Sequence, residues 1–200
     1  MASTSPARER IVAAANDLFV AHGVRTTSLE RVAEAAGCSR MTVYRHFPGK
    51  PTLIREVVMR QVLAQTHDFD AMWNMDGSLD GRLTGAFVWA VETCRHNPLL
   101  GRMIESEPET LLPAITLEGE SVLDLASGLV ALRLRDTDLD DETAHTLAEL
   151  LCRLVVSIVL QPYGRLRLDS REELEAFARQ WIAPAVRMAG RAPRPAVDGA

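Results

Sequence analysis

Apolar residues in this chain recur three and four positions apart over almost its whole length. Nowhere do apolar and polar residues alternate as they would in a half-buried strand. The pattern predicts an all-α fold of about nine helices. Ser5-Pro6 supplies a cap and a first-turn proline for an opening helix that reaches about His22. Thr27-Ser-Leu-Glu30 reads as a capping box that starts a short second helix, with Val32, Ala33 and Ala36 on its apolar side. Ser39 caps a third helix whose apolar stripe is only Val43 and Phe47. A long helix is expected from near Pro51 to about Asn74, where Met75-Asp-Gly-Ser78 breaks it. Another covers about 79–96 and stops before Pro98, because a residue preceding proline avoids helical geometry. Pro98, Pro108 and Pro113 confine 98–113 to short pieces. Helices over about 116–134, 141–161 and 170–189 follow, separated by the polar loop Asp136 to Asp141 and by Pro162-Tyr-Gly164.

The last two predicted helices carry more apolar surface than one stripe needs. In the final one Leu174, Phe177, Ala178, Trp181, Ile182, Ala185, Val186 and Ala189 keep helical spacing. The one before it has Leu147, Leu150, Leu151, Leu154, Val155, Ile158 and Val159, with Ala144, Ala148, Cys152, Val156 and Leu160 on its other side. A helix that is apolar nearly all round is either central to a larger bundle or completes a four-helix bundle with a second copy of the chain.

Residues 39 to 50, Ser-Arg-Met-Thr-Val-Tyr-Arg-His-Phe-Pro-Gly-Lys, speak most directly of function. With only Val43 and Phe47 to bury, the remaining side chains must face water or a polyanion. Ala36-Gly37-Cys38 is a tight turn in which glycine alone takes positive φ without cost. Helix, glycine turn and helix at this spacing make a helix-turn-helix, whose second helix enters a major groove.

Residues 8 to 60 resemble the DNA-binding domain of the tetracycline-repressor (TetR) family. The resemblance is carried by Ile11-Val-Ala-Ala-Ala15, Leu18-Phe19, Gly23, Thr26-Thr27-Ser28, Val32-Ala33, Ala36-Gly37, Tyr44-Arg-His-Phe47, Lys50 and Leu53. It implies a helix-turn-helix domain over 1–50 (1–5 flexible) and a helical effector-binding and dimerisation domain over 51–189, followed by a disordered tail over 190–200. It puts Thr27, Tyr44, His46 and Lys50 on phosphates, to which their hydroxyl, imidazole and ammonium groups can donate. Backbone donors at the helix starts, Ser28 and Ser39–Arg40, would add to them. By their chemistry Arg40, Met41, Thr42 and Arg45 are the candidates for base edges, arginine suiting guanine and the methyl groups of Met41 and Thr42 suiting thymine. Arg45 could equally hold a phosphate. The resemblance also makes the last two helices a homodimer interface, for which Leu154, Ile158, Leu174, Phe177, Trp181 and Ile182 are the candidates. One departure stands out: Pro51-Thr52 follows Gly49-Lys50, so the next helix lacks the acid of its usual capping box.

Charge supports the assignment once it is divided. The net charge is −5, yet residues 1 to 66 hold nine Lys/Arg against five Asp/Glu, and the remainder 13 against 22. Phosphate responds to the local patch rather than to the total. No apolar run marks a signal peptide, and the longest apolar stretch, Leu150 to Leu160, is broken by Arg153 and too short to span a bilayer, so a cytoplasmic protein without membrane contact is expected. Cys38, Cys94 and Cys152 are too scattered for a disulfide framework or zinc site. The five histidines, His67-Asp68-Phe-Asp70 and the acids of 136–142 form no metal or catalytic motif, so neither an enzyme nor a cofactor is expected.

The function expected is therefore a sequence-specific transcriptional regulator. It would bind a pseudo-palindromic double-stranded operator as a homodimer and, as a repressor, leave it when a small, mostly apolar effector binds. A ligand-dependent activator and an architectural DNA-binding protein are the alternatives. Phe69, Met72, Trp73, Phe87, Val91, Met103, Leu123 and Leu151 are candidates to line the effector pocket, and the stretch 98–113 is the candidate moving part.

Overall fold

The computed structural model describes residues 5–75, 77–109, 120–137, 139–166 and 168–190, and every regular element among them is helical. The expected tail beyond residue 190 and the last four residues of the proline-broken stretch, 110–113, lie outside the described residues. The elements are α1 (Pro6–His22), α2 (Leu29–Ala35), α3 (Arg40–His46), α4 (Lys50–Ala64), α5 (Thr66–Trp73), α6 (Leu79–Arg95) and α7 (Pro98–Ser106). There follow α8 (Glu120–Leu134), α9 (Asp141–Leu160), α10 (Arg171–Phe177), a π-helical segment (Ala178–Ile182) and α11 (Ala183–Ala189).

Two compact units share the chain. The first holds residues 1–66 and 93–125, the second 67–92 and 126–200. In the first, α1 buries Ile11, Val12, Ala15 and Phe19 against Leu53, Ile54 and Val57 of α4 and the small helices α2 and α3. Arg8 grips the Glu56 carboxylate with two nitrogens at 2.5 and 2.7 Å while its guanidinium lies over the Phe47 ring. Gln61 links α4 to Asn16 (2.7 Å) and to Asn97 (3.0 Å), and the Asn97 side chain also caps α7. The unit that carries the helix-turn-helix therefore includes α4 and α7.

In the second unit an aromatic column, Trp73, Phe69 and Trp89, stands beside a second pair, Phe87 and Phe177, whose centroids are 5.6 Å apart. Leu83, Val88, Val91, Leu174, Ala178, Ile182 and Val186 complete this core. Ion pairs Arg133–Asp70, Arg171–Glu92 and Arg187–Asp80 tie its helices together.

Three elements differ from the sequence reading. The long helix expected to reach Asn74 stops at Ala64. There the Gln65 N–H turns back to the Val62 carbonyl and the Thr66 hydroxyl takes the Leu63 carbonyl at 2.7 Å, which competes with helix continuation. The final helix is continuous but widens over Ala178–Ile182, just before Pro184. Proline has no N–H to give and its ring crowds the carbonyl one turn back, so the preceding turn opens. The cap of α2 is Ser28, not Thr27: its hydroxyl accepts the Arg31 N–H at 3.2 Å.

Helix α9 buries Ala144, Ala148, Val155 and Val159. It is 20 residues long and its most apolar 18-residue window has a mean hydropathy of 1.6, enough by length and composition to cross a membrane, so shortness does not exclude a span. Glu142, His145, Glu149 and Arg153 are exposed along it, and a bilayer core would have to desolvate them.

Candidate nucleic-acid interface

The reading helix α3 is held from beneath and open above. Val43 and Phe47 are buried completely or nearly so, and the Ser39 hydroxyl accepts the Thr42 N–H at 3.1 Å, so both ends of this two-turn helix are pinned. Gly37 takes φ +62° in the turn that precedes it, as the glycine turn requires. On the outer side Met41 is 75% exposed, and Arg40, Tyr44 and Arg45 are exposed with it. Thr42 is half-buried, its hydroxyl 2.9 Å from that of Ser39 and shared with the cap. His46 is half-buried beside Phe47.

Arg40 is already engaged. Its Nε lies 2.8 Å from Glu30 Oε1, its Nη2 donates to the Tyr44 hydroxyl at 3.3 Å, and its guanidinium stacks on the Tyr44 ring. The backbone of Glu30, the Ser28 hydroxyl and then Arg40 hold the Glu30 carboxyl below the usual carboxylate range. Tyr44, then Glu30, push the Arg40 guanidinium up. Sequence reasoning missed Glu30. The signal that could have found it is an acid on the first turn of α2 facing the first residue of α3 across the glycine turn.

Two expected phosphate ligands make contacts within the protein. Thr27 is 1% exposed and its hydroxyl donates inward to the Gly23 carbonyl at 2.7 Å, so it braces the turn and cannot reach a phosphate in this conformation. Lys50 opens α4 without a side-chain cap, as the missing acid implied, and its Nζ donates to the Arg25 carbonyl at 3.1 Å. Burial pushes the Lys50 ammonium down, against the pull of the Glu107 carboxylate.

Of the eight expected effector-pocket residues, Phe69, Met72, Trp73, Phe87, Val91 and Leu151 belong to the second unit, and Met103 and Leu123 to the first. Phe69, Trp73, Phe87, Val91 and Met103 are buried; Met72, Leu123 and Leu151 are half-buried. Among the described residues Trp73 Nε1, Arg82 Nε and Thr84 Oγ1 are buried without a hydrogen-bond partner, and the Arg82 guanidinium lies over the Trp73 ring. An unpartnered buried donor is costly unless an acceptor reaches it.

Leu151 instead lines an open apolar groove of about 190 Å³ with Leu147, Leu150 and Leu154 of α9 and Phe177, Trp181, Ile182, Ala185 and Val186 of the final helical stretch. Trp181 is 61% exposed here and Leu150 57%. Two expected interface residues, Leu174 and Ile182, are turned into the protomer's own core at 1% and 4%. Leu154, Ile158 and Phe177 are half-buried. Exposed Leu150, Val156 and Met188, which the sequence reading did not single out as interface residues, extend the apolar surface.

With this geometry in place, comparison with known proteins decides the family. Residues 11–57 match the model for bacterial regulatory proteins of the tetR family, and residues 79–179 match the model for a bacterial tetracyclin repressor C-terminal domain. The chain belongs to the TetR family. An uncharacterized HTH-type transcriptional regulator of Mycobacterium tuberculosis is 27% identical over 193 residues, 96% of this chain and 93% of that one. The HTH-type transcriptional regulator AlkX of the same organism is 26% identical over 167 residues, 80% of this chain and 78% of its own. The TetR-family repressor AlkX from Dietzia sp. strain DQ12-45-1b, implicated in biodegradation of n-alkanes, shares the fold with a TM-score of 0.74 at 19% identity, over 93% of this chain and 97% of that one. As a TetR-family member the chain is a DNA-binding transcriptional regulator with its helix-turn-helix near the N-terminus.

Proposed function

We propose that this TetR regulator is a homodimeric repressor of the cytoplasm that leaves its pseudo-palindromic operator when a small, mostly apolar effector binds. The observation that carries the reading is α3 itself: Val43 and Phe47 lock it down while Arg40, Met41, Tyr44 and Arg45 face outward. Two such helices related by a two-fold would meet successive major grooves. Arg40, Met41, Arg45 and, through its methyl, Thr42 read bases; Tyr44, His46 and Lys50, with the backbone at Ser28 and Ser39, hold phosphates. The groove between α9 and the final helical stretch receives the same surface of a second copy, with Trp181 and Leu154 as its anchors.

The effector is bound among Phe69, Met72, Trp73 and Phe87, and it carries a hydrogen-bond acceptor on its apolar body. Trp73 Nε1 and Thr84 Oγ1 support that addition, being buried donors that lack a protein partner. No catalytic residue, metal or cofactor enters this reading. To test it, duplexes are selected from a random pool by the purified protein, and binding to the recovered motif is then measured across a panel of apolar metabolites with and without an acceptor group. A two-fold motif is expected, as is a response to acceptor-bearing apolar compounds that Phe87→Ala and Thr84→Val weaken. Recovery of no two-fold motif would sink the operator, and a response confined to polyanions, untouched by either substitution, would sink the effector.

A further inference from the structure

We infer that Glu107 is a positioning residue for operator binding: its carboxylate clamps the turn between α1 and α2 to the end of α7. Glu107 stands directly after α7 and is 4% exposed, although it carries a charge. Its Oε2 accepts the Arg25 N–H at 3.0 Å, across 82 residues of chain. Its Oε1 lies where a side chain on residue 23 would begin, since a Cβ built on Gly23 would sit 2.2 Å from it. Glycine is needed there twice over, because φ is +90° and because the carboxylate occupies the space.

The Arg25 carbonyl is held as well. Lys50 donates to the Arg25 carbonyl at 3.1 Å, so Glu107 and Lys50 grip the N–H and C=O of one residue. The Lys50 ammonium, lowered by burial, is also pulled up by the Glu107 carboxylate. One turn before Glu107, Arg102 donates to the Ala21 carbonyl at 3.2 Å. Four residues after Gly23, Thr27 closes the turn onto its carbonyl. Ser28 then caps α2, which packs on α3. Through these links a displacement of the turn moves the reading helix and Lys50 together. A buried carboxylate that lost Arg25 would be left unsatisfied, so the clamp resists partial opening.

Under the effector reading proposed above, on which this second half rests, the clamp is where a shift of α7 reaches the DNA-binding helices. The first half needs only DNA binding, and its test uses no effector. Operator affinity is measured on the selected duplex and on a scrambled one, and hydrogen exchange is followed at the Arg25 amide. In the wild type that amide is expected to be protected by about 100-fold or more, although Arg25 itself is an exposed turn residue. Glu107→Ala should abolish the protection and weaken binding to both duplexes by about tenfold with base preference unchanged, the mark of lost positioning rather than lost base contact. Glu107→Gln can still accept the N–H and should stay within about threefold of the wild type. Gly23→Ala should reproduce the loss, and adding Glu107→Ala to it should cost little more, because the new methyl and the carboxylate compete for one place. Glu109→Ala, which removes only the exposed partner of the Arg25 side chain, should change nothing. An unprotected Arg25 amide in the wild type, or a folded Glu107→Ala protein that binds like the wild type, overturns the inference. If Glu107→Ala does not fold, wild-type exchange and the affinity of Gly23→Ala decide it. Failure of the effector panel alone would count against effector release and leave the clamp standing.

Discussion

Glu30, on the first turn of α2, holds the guanidinium of Arg40, the first residue of α3, at 2.8 Å across the glycine turn. Arg40 is thereby drawn back over Tyr44 rather than extended toward a groove. The arrangement limits the side chain to few rotamers before DNA arrives, and it places a carboxylate close to where phosphates must come.

Glu30→Gln should accordingly raise affinity for unrelated duplexes severalfold, since one repelling charge is gone, and should flatten the preference at the base pair that Arg40 is proposed to read. Arg40→Ala should flatten the same preference and lower affinity for the selected duplex. Titrations on selected and single-substituted duplexes separate the two. If Glu30→Gln leaves both discrimination and non-specific affinity unchanged, the pair is an idle surface contact.

Tyr44→Phe removes a hydroxyl that both accepts from Arg40 and faces outward. Binding to all sequences should weaken alike, without a change in the selected motif. Lys50→Ala should do the same and also reduce the salt slope of binding by about one unit. A repeat of the random-pool selection with each variant checks the first point, and a salt series the second.

Trp181→Glu should give a folded monomer. Trp181 is 61% exposed in the protomer, so a carboxylate there stays solvated when the chain is alone and becomes buried and unpaired only in the groove of a second copy. Ile182→Glu is a poorer test, because Ile182 is 4% exposed and its replacement would damage the protomer's own core. Sedimentation at micromolar concentration reads the outcome, and a monomeric wild type would end the argument.

Glu56 should make stability depend on pH. Burial works against its charge, but Arg8 and then Arg60 outweigh that and hold the carboxyl below its ordinary value of 4.5. The folded form thus binds its proton less readily than the unfolded chain. The contribution is present above the ordinary value and is lost as pH falls from there through the lower folded value. Glu56→Gln should cost about 1–2 kcal/mol near neutrality, and that difference should shrink in this acidic window. Urea unfolding of both proteins at two pH values measures it. A difference independent of pH would show that the Arg8 pair is not its source.

Much of the molecule was legible from local pattern. The ends of α1, α3, α6 and α9 follow from proline at a first turn, serine and aspartate caps and the glycine turn, all of which act within four residues. The outward face of α3 follows likewise, because Val43 within it and Phe47 just after it form the only i, i+4 apolar pair, and the other side chains have nothing to bury against. The break at Gln65 was less visible, since the hydroxyl of Thr66 and the apolar spacing point opposite ways. The widened turn before Pro184 was missed because spacing shows which residues are apolar and not whether each backbone carbonyl can find its donor.

What the sequence by itself determined is the helical class, most of the helix starts and the outward-facing helix α3, because i to i+4 chemistry is the same wherever the chain finally goes. What only the tertiary structure decided is which polar groups meet across long separations. Thr27 was expected on a phosphate and is buried at Gly23, since the α1–α2 turn closes over its hydroxyl. Glu107, outside every motif, reaches Arg25 because α7 returns to the first unit after the chain has passed through the second. Leu174 and Ile182 face inward while Trp181 faces out, because the packing of the second unit chooses the face. Such choices depend on where distant elements come to rest, and residue spacing carries no information about that.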